Sequence, residues 1–262
     1  MIKSHSEIPL VRVSTEGESI QKETIVEEVA VRLHALNENN VYDEHSILLA
    51  TPTDLVELHA GHLYSEGYIE EIPCQTKFQI QGDSPPIIRY DGSINLPIRE
   101  RIVTSSCGAC NHPDLMIHRH KIIAKNPIFS NLDITTLGNA LHELTTEMPL
   151  FQQSGGCHGV ALYFEDGSID YVSEDIGRHN AVDKTIGKAI LSGKTTLPDT
   201  MLLLSGRCGW DIVAKCVRTG ISAIASLGAF SSAAVNLARE HNVTLYGFVG
   251  DRGAWKVGIS VI

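Results

Sequence analysis

Apolar positions along this chain change their period part-way through it. In the first half they mostly alternate with polar ones. IPLVRV and EVAVRLHAL (28–36) read as strands of an antiparallel sheet. KFQIQ, IIRY and INLPI give shorter strands divided by Gly, Asp and Pro turns. Between them TPTDLVELHAGHLYSEG (51–67) reads as a helix: Leu55, Leu58, His59, His62 and Leu63 fall near one stripe, and Gly67 is a stop. Further on, Ile134, Leu137, Leu141, Leu144, Met148 and Phe151 recur at spacings of three and four. That predicts one long helix over 133–153, capped by Asp133 and ended by Gly155-Gly156.

After that helix the pattern alternates between element types. Strands are predicted at 157–164, at SIDYVS, at 201–205, at ISAIAS and at 243–249. Helices are predicted at about 178–191, at 210–219 and at SSAAVNLAREHN. Strands alternating with helices imply βαβ units and a largely parallel sheet. The chain therefore divides into a mixed α+β portion, 1–130, and an α/β portion, 131–262, with the first packed on the second or inserted beside it.

Hydrophobic residues at 43% and charged residues at 20% give ordinary globular composition. No apolar run reaches the ~18 residues of a membrane helix. The opening MIKSHSEIPLVRV has no apolar h-region, so a cytoplasmic protein is expected. A net charge of −10 argues against broad tracking of nucleic acid, though not against one anionic ligand in a local basic site.

In such sheets ligands bind beyond the carboxyl ends of the strands. Three strand exits carry suitable chemistry. EDIGRHNAVDK (174–184) places Asp175, Arg178, His179, Asn180, Asp183 and Lys184 at a loop-to-helix junction, which suits an anion but equally suits a capped helix with charged faces. LLLSGRCGWD (202–211) has a phosphate-facing layout without a Walker or GxGxxG spacing. GFVGDRGAW (247–255) sets Asp251-Arg252 between glycines. Arginine there offers a planar fork to phosphate or a purine edge, and the same stretch reads as a hairpin turn joining 243–249 to 255–261.

Six cysteines are too few for a disulfide framework, and reduced thiols are expected. Cys74, Cys157, Cys208 and Cys216 are isolated and read as core filler; only Cys107 and Cys110 form a pair, in TSSCGACNHPDL. With His112, His118 and His120 they could be zinc ligands, but the interval is short and no second CxxC follows. A thioredoxin-like dithiol would open a helix, and Pro113 with a polar run does not. A zinc deaminase needs a proline directly before its CxxC, and Ser106 stands before Cys107. No metal is assigned.

Set in order from about residue 25 onward, TPTDLVELHAGHLYSEGYI, SSCGAC, SGGCHGVAL, EDIGRHNAVDKTIG, LLLSGR and VTLYGFV-GDRG resemble the formate dehydrogenase accessory sulfurtransferases, the FdhD/NarQ family. The resemblance implies an α/β fold with a cytidine-deaminase-like three-layer core and an additional mixed α+β N-terminal portion, assembled as a homodimer. It implies a sulfur carrier required for formate dehydrogenase activity. Sulfur would arrive as a persulfide from a cysteine desulfurase and pass to the molybdenum bis(pyranopterin guanine dinucleotide) cofactor, bound as a client, before insertion into formate dehydrogenase. By the motif, Cys107 aligns with the persulfide-bearing cysteine and Cys110 with its partner; Phe248, Val249, Gly250, Asp251, Arg252 and Gly253 align with the cofactor-binding loop. Two departures are Asn111 in place of a second glycine and Ser154 in place of a threonine. A cofactor-binding chaperone without sulfur transfer and a dithiol oxidoreductase are the alternatives.

Overall fold

The computed structural model describes residues 3–82, 84–95, 128–193, 197 and 199–258. Cys107, Cys110, His112, His118 and His120 lie outside the described residues.

A hairpin comes first, β1 (His5–Ser14) paired antiparallel with β2 (Gly17–Val26). A four-stranded sheet follows, built from β3 (Val29–Leu36), β4 (Tyr42–Ala50), β5 (Phe78–Gln81) and β6 (Ile87–Ser93) in the order β4-β3-β6-β5. Helix α1 (Leu55–Ser65) crosses from β4 to β5. The second half carries α2 (Ile134–Thr146), α3 (Pro149–Ser154), β7 (His158–Phe164), β8 (Ile169–Asp175), α4 (Arg178–Leu191), β9 (Thr200–Leu204), α5 (Trp210–Thr219), β10 (Ala223–Ser226), α6 (Ser232–Glu240), β11 (Thr244–Gly250) and β12 (Gly253–Val257). Its strands form a six-stranded sheet in the order β12-β11-β10-β9-β7-β8.

Period two in these strands sends alternate side chains to opposite faces. Leu202, Leu204, Ile224 and Leu245 join one buried cluster, with α1, α4, α5 and α6. Met201, Leu203, Ala223, Ala225 and Tyr246 join the other, against α2 and Phe129. The first cluster continues through α1 into Val31, Leu33, Ile88 and Tyr90 of the four-stranded sheet, so one core runs through both halves of the chain.

Four expectations need correction. The IPLVRV strand does not share a sheet with 28–36; it pairs with β2. That partner gave no signal because GESIQKETIV is almost wholly exposed and has no apolar alternation. The sheet of the second half is less parallel than expected: β9, β10 and β11 run together, whereas β7 and β12 run against their neighbours. The predicted helix over 133–153 is two helices. Asp133 caps α2 by accepting from the Thr135 and Thr136 amides at 2.8 and 3.0 Å. Met148 then leaves helical angles, and Pro149, which has no N–H to continue the ladder, opens α3. Finally, Cys74 is exposed, not core filler, while Cys157, Cys208 and Cys216 are buried as expected.

The halves are joined at the crossing of α1 and α4. A Cβ built on Gly61 lands on the Asp183 carbonyl, and one built on Gly187 lands on the Glu57 carbonyl. Backbone therefore meets backbone, and only glycine fits on either side.

Candidate functional site at the carboxyl edge of the six-stranded sheet

The sheet topology brings several of the predicted residues to one edge. β9, β10 and β11 are parallel, so their carboxyl ends, at Leu204, Ser226 and Gly250, lie together. β7 runs against β9, which sets its first residue, His158, on that same edge; β8, antiparallel to β7, ends beside it at Asp175.

The loops leaving these strands are laced to one another. The Gly159 amide donates to Ser205 Oγ at 2.8 Å, and Ser226 Oγ donates to the Gly206 carbonyl at 2.5 Å. The Cys208 amide donates to the Ala229 carbonyl and the Phe248 amide to the Gly228 carbonyl, at 2.9 and 3.0 Å. Glycines permit the approach: a Cβ on Gly228 would stand 2.8 Å from the Gly206 carbonyl oxygen, and one on Gly206 would stand 2.9 Å from His158 Nδ1. His158 has its pKa lowered by burial, then by the nearby charges of Arg178 and Arg207. Two arginines therefore bear on this edge of a chain whose net charge is −10.

The 248–253 stretch is the junction of β11 and β12. Gly250 pairs with Gly253 across the two-residue tip Asp251-Arg252, both exposed, after a bulge that begins at Gly247. The hairpin reading of this stretch therefore holds. Val249 points into the core, but Phe248 stands at φ 53° and is 54% exposed. A left-handed backbone at a bulky aromatic is costly, and such strain concentrates where a side chain must be presented. The Phe230 ring stands edge-on to Phe248 at 6.5 Å, so the edge offers an aromatic face beside basic groups.

EDIGRHNAVDK does different work. Asp175 accepts from the Gly177 amide at 2.7 Å, the Thr51 amide at 3.0 Å and Lys184 Nζ at 2.7 Å. Asn180 donates to the Leu49 carbonyl at 2.7 Å. Asp183 is held by Lys215 at 2.7 Å, Ser65 at 2.6 Å and His62 at 3.1 Å. Burial would raise the pKa of Asp183, but Lys215 and His62 outweigh it and hold that carboxylate below its ordinary range. Lys184, one candidate phosphate donor in this stretch, is fully buried and bound to protein groups. The motif bolts α4 to β4 and α1. Arg178 and His179 face Asp211 instead.

Sequence reasoning placed His59 and His62 on one helix stripe without seeing what they join. His59 and His45 meet Nε2 to Nε2 at 2.9 Å. His45 Nδ1 lies 3.1 Å from Ser46 Oγ, Ser46 Oγ lies 3.4 Å from His62 Nε2, and His62 Nδ1 lies 3.1 Å from Asp183. Tautomers with each hydrogen pointing towards Asp183 fit these four contacts and leave the buried His59 Nδ1 without a partner. Burial drives the His45 pKa down to about 3, and that of His59 well below its ordinary value. Burial favours the neutral form of both in the folded protein. Their contribution is complete above the unfolded value of about 6.5 and is lost as pH falls below it, because only the unfolded chain then takes up the protons. Below the unfolded value we expect unfolding free energy to fall with pH, by on the order of 1 kcal/mol per pH unit. Urea titrations at several pH values check this: the His45→Gln/His59→Gln variant should lose that slope, and an unchanged slope contradicts it. Among the described residues no group of three His, Cys, Asp or Glu is placed to hold a metal ion.

With this geometry established, comparison with known proteins is informative. The model of the FdhD/NarQ family matches residues 26–254. A protein of Sulfurisphaera tokodaii named sulfur carrier protein FdhD is 34% identical over 245 residues, covering 92% of each chain. One of the same name from Streptomyces avermitilis is 34% identical, covering 80% of this chain and 79% of its own. Among solved structures, a candidate formate dehydrogenase accessory protein from Desulfotalea psychrophila superposes with a TM-score of 0.76 over 98% of both chains at 23% identity, which shows a shared fold. The family match spans both the CxxC pair and the β11–β12 junction, and the chain belongs to the FdhD/NarQ family.

Proposed function

We propose that this protein is a sulfur carrier for the maturation of formate dehydrogenase. It would receive sulfur on Cys107 as a persulfide from a cysteine desulfurase and deliver it to a molybdenum bis(pyranopterin guanine dinucleotide) cofactor held as a client at the carboxyl edge. The observation that carries this reading is the family match over residues 26–254, which includes Cys107 and Cys110, with relatives named as sulfur carriers. A cytidine-deaminase-like core, a homodimer and a cytoplasmic location belong to the same proposal. No helix among the described residues is long and apolar enough to cross a membrane.

The chemistry of the chain supports these roles. Sulfur transfer needs a thiolate. Burial, reinforced by Glu174, pushes the Cys157 thiol up to about 11, and burial also raises Cys208 and Cys216, so all three stay protonated at neutral pH. The Cys107 thiolate would attack the outer sulfur of the donor's persulfide, and the donor's cysteine thiolate would leave. Cys110, three residues away, could then resolve the Cys107 persulfide, releasing sulfide and leaving a disulfide for a cellular dithiol to reduce.

The guanine dinucleotide arms suit the edge: Phe248 offers a face for stacking and Arg252 is the first candidate to offer a fork to phosphate, with Arg207 and Arg178 the next candidates. Calorimetry with GDP tests this. Arg252→Ala and Phe248→Ala should each weaken GDP about tenfold. Unchanged affinity in both would remove the β11–β12 junction from the site.

A further inference from the structure

Trp255 is 70% exposed, and none of the chemistry assigned above uses it. It lies on β12, the edge strand of the six-stranded sheet, two residues beyond the 248–253 stretch. Its place on the strand fixes its direction. Leu245 pairs with Val257 and Gly247 with Trp255, and side chains directly opposite share a face. Leu245 and Val257 point into the cluster shared with α5 and α6, so Trp255 points to that same side of the sheet. Its partner, Gly247, has no side chain to cover the indole. A Cβ there would stand 2.4 Å from the Phe230 ring, so Phe230 occupies the space over Gly247.

Phe248 reaches the same place by a different route. Strand alternation would send it to the opposite side, with Tyr246. The bulge that begins at Gly247 and the left-handed angle at Phe248 instead bring its ring to 6.5 Å from Phe230. Phe230, Phe248 and Trp255 therefore border Gly247 at the carboxyl edge, and the last two are exposed. Trp255 is the one large exposed apolar side chain of β12, flanked by Ala254 and Lys256. A protein contact takes a broad apolar centre, whereas a single base takes one or two ring faces. We propose, on the nucleotide reading of the β11–β12 junction, that Trp255 is a specificity-determining residue for the client: the guanine of a nucleotide arm stacks on its indole, beside Phe248. An indole is two fused rings, so it covers a two-ring purine more fully than a one-ring pyrimidine.

The chain has two tryptophans, so in a Trp210→Phe background all indole emission comes from Trp255. GDP should quench that emission with the midpoint that calorimetry gives for binding. Pyrophosphate at the same concentrations should not, because stacking needs the base. By calorimetry on the otherwise natural chain, Trp255→Ala should weaken GDP about tenfold, and Trp255→Phe, which keeps a ring face, by about threefold or less. Wild type should prefer GDP to CDP, and Trp255→Ala should lose most of that preference. A thermal melt shows that substituting this exposed residue leaves the fold intact. GDP that binds by calorimetry without changing Trp255 emission, or that binds Trp255→Ala as tightly as wild type, overturns the proposal and leaves the nucleotide site standing. Emission that ignores GDP and shifts on dilution of the protein assigns the indole to a protein contact and overturns it too. GDP that fails to bind wild type removes the nucleotide site and this role for Trp255 together.

Discussion

Gly61→Ala is expected to destabilise the protein by about 3 kcal/mol or more, a large part of the total for a domain of this kind. The added methyl lands on the carbonyl of Asp183, and Gly187 faces Glu57 in the same way. Neither obstacle is a side chain that can rotate aside. Both are helix backbone, so α1 and α4 must separate. Separation in turn pulls His62 and Ser65 from Asp183, and Lys215 then shares a buried charge with fewer partners. Gly187→Ala should behave alike. Gly138→Ala is the control: nothing lies within 4 Å of a Cβ there, and helix propensity alone should make that variant neutral or up to about 1 kcal/mol more stable. Urea unfolding midpoints decide the matter, and a Gly61→Ala midpoint equal to wild type would contradict the backbone-to-backbone contact.

Cys107→Ala should abolish the restoration of formate dehydrogenase activity in a cell lacking its own carrier, while GDP binding at the β11–β12 junction stays within about twofold of wild type. In this proposal Cys107 is the thiol that accepts the sulfur, and Cys110 acts only on the persulfide formed there. Arg252→Ala should give the reverse pattern, with the sulfur still accepted and the nucleotide weakened. Finding both functions lost in one variant would point to unfolding, which a thermal melt would reveal.

Much of the fold was legible because its signals are local. The continuous apolar run in MLLLS marks a strand buried on both faces, and spacings of three and four in 134–144 mark one buried helix face; the burial of Leu202 and Leu204 opposite Met201 and Leu203 bears out the first. The helix break at Pro149 was also local, yet the apolar spacing runs on through Met148 and Phe151 and concealed it. β2 and β4 were missed for a different reason. Their pairing is set by partners, and β2 has almost no buried face to mark it. The aromatic and basic composition of the carboxyl edge could be read from Phe248, Arg252 and Arg207. The left-handed backbone that presents Phe248 could not, since nothing in GFVGDRG distinguishes it from an ordinary turn. The dense motif around 174–184 attracted a ligand reading because Asp, Arg, Asn and Lys look like chemistry. Most of them are spent on one another and on the backbone of Leu49 and Thr51, through contacts more than a hundred residues apart in sequence that no local pattern shows.

Intact-protein mass spectrometry after incubation with a cysteine desulfurase and cysteine tests the central claim most directly. Cys74 is exposed and its thiol is acidified by a hydrogen bond from Thr76, so a Cys74→Ser background removes the competing acceptor. In that background the protein should gain about 32 Da for each sulfur carried, the gain should disappear on treatment with dithiothreitol, and Cys107→Ala should show none. A protein that gains no mass, or that gains it equally without Cys107, is not the carrier described here and would be left as a cofactor-binding chaperone.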